Sequence, residues 1–212
     1  MNLGELRGAV NRRTGIAVDT AALNDWINFA LTEIALEDRW PWLEAQTTFT
    51  TVAGTNVYTL TPTTVRTVIS VVDANGNAYD PASDRDLLIF STGDDLVSQF
   101  SEDGKWFSAK AQQLRIAPTP SSAFVVTVSY ISNEPRLLAD IDSPLLPEVY
   151  HEAIIERAAL EVVSRRNQVS SDSRKADMYM KNYNRLLMKM KREALRYVGP
   201  ARTPRIRPGA GW

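Results

Sequence analysis

The chain has 212 residues, 44% of them hydrophobic, enough to bury the core of one domain or of one domain carrying an insertion. It contains no cysteine and a single histidine, which excludes disulfides, thiolate nucleophiles, cysteine metal sites and clusters of imidazole ligands. No run approaches the ~20 apolar residues of a membrane span, and the opening Met-Asn-Leu-Gly-Glu-Leu-Arg lacks the layout of a signal peptide. The expectation is a cytoplasmic protein at synthesis, with no membrane partner.

The formal net charge of −1 hides a division along the chain. Residues 174–212 carry eleven Lys or Arg against Asp177 and Glu193, so this end holds +9 and the remainder −10. Such segregation fits two different partners, or acidic parts of one copy meeting basic parts of another. Its plain structural reading is a solvated basic helix face.

In chain order, Leu3, Leu6 and Val10 at helical spacing and the stop Thr14-Gly15 predict a short helix over 3–13. Asp19 or Thr20 then caps a helix over 20–39. Its stripe is Leu23, Trp26, Ile27, Ala30, Leu31, Ile34 and Ala35. Pro41 ends it, because the ring disfavours the helical conformation of the preceding residue. Trp40, Trp42 and Leu43 form an apolar corner, and Trp26, Trp40 and Trp42 are expected mainly buried where helices and strands join.

From residue 45 the period changes to alternation rich in Thr, Val, Tyr and Phe, which predicts strands over 46–52, 56–60, 65–73, 105–109, 112–117 and 123–131. Asn75-Gly76 between Val71-Val72 and Ala78-Tyr79 signals a type I′ hairpin. A helical turn is expected over Ser83 to Phe90 and a loop over 91–104. Helices return after Pro135. Leu146, Val149, Tyr150, Ala153, Ile154, Arg157, Ala158 and Val162 share one face of a helix over 147–166, with Pro147 in its first turn. The last helix begins near Ser170 or Ser171 and reaches about 197. One side holds Ala176, Tyr179, Met180, Tyr183, Leu186, Leu187 and Met190, the other Lys181, Arg185, Lys189 and Arg192. Residues 199–212, with three prolines, three glycines and three arginines, have no periodicity and cannot fold alone.

Chemical signatures are sparse. His151 stands beside Glu152 at a helix start without a Ser or Cys nucleophile pattern, so a structural or surface role is expected. Asp84-Arg85-Asp86, Asp94-Asp95 and Glu102-Asp103 lack the ordered alternation of a calcium loop and read as solvated loops or contacts between copies. The ten glycines form no phosphate-binding pattern. No enzyme, cofactor or metal is expected. Lys181, Arg185, Lys189 and Arg192 are candidates for non-specific DNA contact or contact between subunits.

The order of elements and several segments resemble the head-to-tail adaptor (connector) proteins of tailed bacteriophages. The helix with Trp26 runs into Trp40-Pro41-Trp42-Leu43. Phe49, Ala53-Gly54 and Val57-Tyr58-Thr59-Leu60 before Pro62 follow. Then come Leu114-Arg115-Ile116-Ala117-Pro118-Thr119-Pro120 and Val126-Thr127-Val128-Ser129-Tyr130. Last are Asn133-Glu134-Pro135, Leu137-Leu138, Asp140, Asp142 and Leu145-Leu146-Pro147 ahead of Tyr150-His151-Glu152-Ala153-Ile154. The resemblance spans residues 3 to about 195. It implies a structural virion protein at the head-tail interface, present in the host cytoplasm during assembly. Its expected partners are the portal, tail or nozzle proteins, further copies in a ring of about twelve, and transient non-specific double-stranded DNA in the channel.

The expected fold is α+β. Residues 1–44 and 136–198 supply a helical bundle, 45–135 an inserted antiparallel β domain and 199–212 an extended C-terminal arm. Arg202, Arg205 and Arg207 offer forked bonds to carboxylates, and Ile206 and Trp212 offer apolar anchors, for the portal or a neighbouring subunit. The alternative function is a soluble DNA-binding or regulatory protein using the basic C-terminal third.

Overall fold

In the computed structural model, residues 1–61, 64–85, 87, 104–110, 112–167 and 173–197 are described. The fold is α+β, and the chain divides into two compact units, Met1–Pro41 with Leu137–Trp212, and Trp42–Arg136.

The first unit holds four helices among its described residues. Helix α1 (Leu3–Thr14) opens with a capping box, in which the Asn2 side chain accepts from Glu5 N–H and the Glu5 carboxylate accepts from Asn2 N–H. It ends at Gly15, whose φ of 67° suits a residue without Cβ. In α2 (Thr20–Glu37), Asp19 Oδ2 accepts from the N–H groups of Ala21 and Ala22. The helix stops at Glu37, short of the expected 39, because Asp38 is already extended. After Pro147 comes a 3₁₀ turn, Glu148–Tyr150, and only then α3 (His151–Asn167). Helix α4 is Ser173–Tyr197.

Helix α3 is the centre of this unit. Ala153, Ile154, Ile155, Ala158, Ala159, Leu160, Val162 and Val163 are all buried, which exceeds a single face. Around it α1 buries Leu3, Leu6 and Val10, α2 buries Leu23, Ile27, Ala30, Leu31, Ile34 and Ala35, and α4 buries Tyr179, Tyr183, Leu187, Met190 and Ala194. Two expected core positions lie outside. Val149, in the 3₁₀ turn rather than the helix, is 73% exposed, and Met180 falls at the edge of the α4 stripe and is also exposed.

The second unit is a sheet of seven strands among its described residues: β1 (Glu44–Thr50), β2 (Val57–Thr59), β3 (Val65–Asp73), β4 (Ala78–Pro81), β5 (Trp106–Lys110), β6 (Gln113–Ala117) and β7 (Val125–Ser132). Their order is β1-β7-β3-β4-β5-β6-β2. Every pairing is antiparallel except β4 with β5, where Asp80 lies opposite Trp106 and Pro81 opposite Phe107. The core gathers Leu60, Val65, Val71, Tyr79, Phe107, Leu114, Ile116, Val126, Val128 and Tyr130, with Phe49 and Tyr58 stacked at 4.7 Å beside it. Of the expected turn after Ser83, Asp84, Arg85 and Leu87 are helical, and Leu87 is buried with Trp106 and Ala117. Of the expected loop over 91–104, residues 91–103 lie outside the described residues.

The β3–β4 hairpin corrects the type I′ expectation. Asp73 N–H donates to Asn77 O, and Gly76 N–H to Asp73 O, so three residues rather than two form the loop. Only one position needs positive φ, and Gly76 supplies it at 83°. The cause is Asp73, whose carboxylate accepts from the N–H of Asn75 and Asn77, from Asn77 Nδ2 and from Lys105 Nζ at 2.6 Å.

The tryptophans separate. Trp40 is fully buried in the first unit, its Nε1–H donating to Ile34 O. Trp26 and Trp42 are half-buried, which corrects the expectation for both. Trp26 stands at the edge of the α2 stripe, with the Arg165 guanidinium 5.6 Å from its ring centre. Replacing Trp40 by Ala should therefore cost about 3–5 kcal/mol, and Trp42→Ala clearly less, as read by chemical denaturation. Asp73 gives a second expectation. The bonds from Lys105 and then Asn77 hold its carboxyl well below the usual range, against the opposing effect of burial. As pH falls below about 4 the unfolded chain takes up this proton first, so stability is lost on the acid side. Asp73→Asn should flatten that acid limb in a melting-temperature series from pH 6 to 3.

Candidate assembly surfaces

Two adjacent charges on α3 link the helices of the helical unit. Glu156 is 1% exposed. Its carboxylate accepts from Arg13 Nη1 of α1 at 2.6 Å and from Asn182 Nδ2 of α4 at 3.3 Å. Burial raises its pKa, partly offset by the Arg13 charge. Arg157 donates Nε–H to Glu33 Oε2 of α2 at 2.8 Å and Nη1–H to Glu161 Oε1 at 2.7 Å. Burial would lower its pKa, but the two carboxylates outweigh that and raise it. Neighbouring residues on a helix point in different directions, so this pair ties α3 to α1 and α4 on one side and to α2 on the other.

A connecting segment before α3 is held by this frame and presents apolar side chains outward. The buried Asn28 accepts from Leu137 N–H at 2.8 Å and donates to Leu137 O at 3.0 Å. Leu3 N–H and Gly4 N–H donate to Asp142 O and Asp140 O. Arg7 pairs with Asp140 at 2.6 Å. Asp142 Oδ2 accepts from Leu138 and Ala139 N–H, which lowers its pKa. Between these ties Leu138, Ile141, Leu145 and Val149 are exposed, Ile141 by 82%. No periodicity marks such a surface, so the sequence offers no signal for it beyond the density of Leu and Ile.

His151 is buried and structural. One ring nitrogen, Nε2, lies 2.8 Å from Leu146 O, and Nδ1 lies 3.0 Å from the Met1 amine. Burial lowers its pKa, with the Leu146 carbonyl acting against that.

Two helix faces remain outward. On α4, Lys181, Arg185, Lys189 and Arg192 are all exposed as one band, with Lys189 4.0 Å from Glu193. Met178, Met188 and Leu195 are exposed among them. On α2, Phe29 and Leu36 are exposed. A groove there is lined by Ala22, Asp25, Trp26 and Phe29 of α2 and by Glu161 and Arg165 of α3. The Arg157 guanidinium stands 5.0 Å from the Phe29 ring centre.

Of the acidic candidates, Asp84 is engaged within its own chain, accepting from Ser108 Oγ at 2.8 Å and Arg115 Nε at 3.2 Å. The Ser108 bond is the main reason its pKa is lowered. Asp86, Asp94 and Asp95 lie outside the described residues, as do Arg202, Arg205, Ile206, Arg207 and Trp212. No described helix is long and apolar enough to cross a membrane.

Comparison with known families gives a match along nearly the whole chain: the family described as SU10 adaptor protein matches residues 1–204. No curated protein matches the chain.

Proposed function

The chain belongs to the SU10 adaptor protein family of phage adaptors, and from that premise we propose that it forms a ring joining the portal to the tail around the DNA channel. A phage adaptor is a structural part of the virion that associates with portal and tail components, and the family is generally non-enzymatic. The proposal adds a closed ring of about twelve copies, docking on the portal, and passage of double-stranded DNA without sequence readout.

The observation that carries it is the family match over residues 1–204. The pinned segment with Leu138, Ile141, Leu145 and Val149 exposed supports it, because a preformed apolar surface binds without first ordering itself. Residues 199–212 are proposed as an arm laid on the portal or a neighbouring copy. Arg202, Arg205 and Arg207 would meet carboxylates there, and Ile206 and Trp212 would anchor apolar pockets.

The purified chain, imaged alone and mixed with portal, should form closed rings. A monomer that retards short DNA with a steep salt dependence would instead favour a DNA-binding protein. Removing residues 199–212 should leave melting unchanged and weaken attachment to portal-bearing heads. Normal attachment by the shortened chain would rule the arm out.

A further inference from the structure

We propose that the outer face of α4 in one subunit packs on the outer face of α2 in the next copy, an inference that rests on the ring reading above. Along α4, Met178, Lys181, Arg185, Met188, Arg192 and Leu195 follow one another in alternating steps of three and four, which places them on one stripe that winds slowly around the outer side of the helix. All six are exposed, while Tyr179, Tyr183, Leu187, Met190 and Ala194 bury the opposite side. A stripe made for phosphates needs cations and water, and gains nothing from methionine and leucine among them. Apolar side chains alternating with cations are the make-up of a protein contact, with an apolar centre and a charged rim.

The complementary surface is on the same chain. Helix α2 contains Asp25, Glu33 and Glu37 and no Lys or Arg, and acidic residues Asp19 and Asp38 flank it. Helix α4 contains eight Lys or Arg against two acids. The exposed line of α2 runs Asp25, Phe29, Thr32 and Leu36, beside the groove in which Trp26 and Phe29 show their rings. Glu33 and Glu37 are engaged within the chain by Arg157 and Lys191, so the acids at the groove itself are Asp25 and Glu161. Thioethers pack favourably on aromatic rings, so Met178 and Met188 suit that groove while Lys181, Arg185 and Arg192 suit Asp25 and Glu161, the two acids that line it. Because the two faces lie on different helices, their contact is heterologous, passing from each copy to the next as a closed ring requires.

The absence of native cysteine gives a clean test. Chains carrying both Phe29→Cys and Met188→Cys would be treated with a short bis-maleimide, and assembly followed in parallel by light scattering. A ladder of cross-linked multimers is expected, with only dimers when the two single variants are mixed. The exposed hairpin pair Asn75→Cys with Met188→Cys should give no ladder. If the folded double-cysteine chain loses assembly that wild type and the hairpin pair retain, the faces are needed and the proposal stands. Rings that assemble yet yield no Phe29–Met188 ladder overturn it and leave the ring reading intact. A wild-type chain that stays monomeric, alone and with portal, defeats both.

Discussion

Glu156 and Arg157 stand side by side on a helix with almost no solvent, and the helical unit is organised by their need for partners. Leaving one charge of a buried pair unmatched costs about 3–5 kcal/mol, so α1, α2 and α4 must each bring a particular polar group to α3. Arg13, Glu33 and Asn182 do so. Hydrophobic stripes alone would allow each outer helix to turn or slide by a residue or two. Hydrogen bonds to a charge fix which turn of each helix meets α3, and thereby which residues of α2 and α4 are left facing out.

The surfaces available for assembly follow from that arrangement. With α1, α2 and α4 all covering α3, each buries an inward face, and α2 and α4 also present exposed apolar side chains: Phe29 and Leu36 on α2, Met178, Met188 and Leu195 on α4. On α1 the N-terminal turn is also used, because its first N–H groups hold Asp140 and Asp142 of the connecting segment. A helix start offers unsatisfied donors, and here two of them donate to carbonyls of the connecting segment. The segment so held exposes Leu138 and Ile141, and Leu145 and Val149 are exposed farther along the chain before α3.

The sheet unit obeys a different local control. Asp73 gathers four donors at the β3–β4 turn and sets a three-residue loop where two were expected. Strand β4 then runs parallel to β5, an arrangement that alternation in the sequence cannot foretell because alternating residues mark faces and not strand direction. Asp84, one of the acids considered for contact between copies, is instead bonded to Ser108 and Arg115 of its own chain.

The sequence by itself determined the local elements: α1 with its stop at Gly15, α2 with its cap at Asp19, the switch to alternation at residue 45, six of the seven strands with the hairpin that leads into β4, and the two-sided character of α4. These depend on periods of 3.6 and 2 residues and on nearby capping groups, all of which are written within a few positions of one another. The ordered segments of the phage-adaptor resemblance were legible for the same reason, and the family match bears out that recognition. Only the tertiary structure decided that α3 is buried on every side from Ala153 to Leu160, since Glu156 and Arg157 read as polar until Arg13 and Glu33 arrive from 143 and 124 residues away. It also decided that Trp40 is core while Trp26 lies half-open under Arg165. Periodicity names the side of a helix that is apolar, but which atoms cover that side depends on partners distant in the chain.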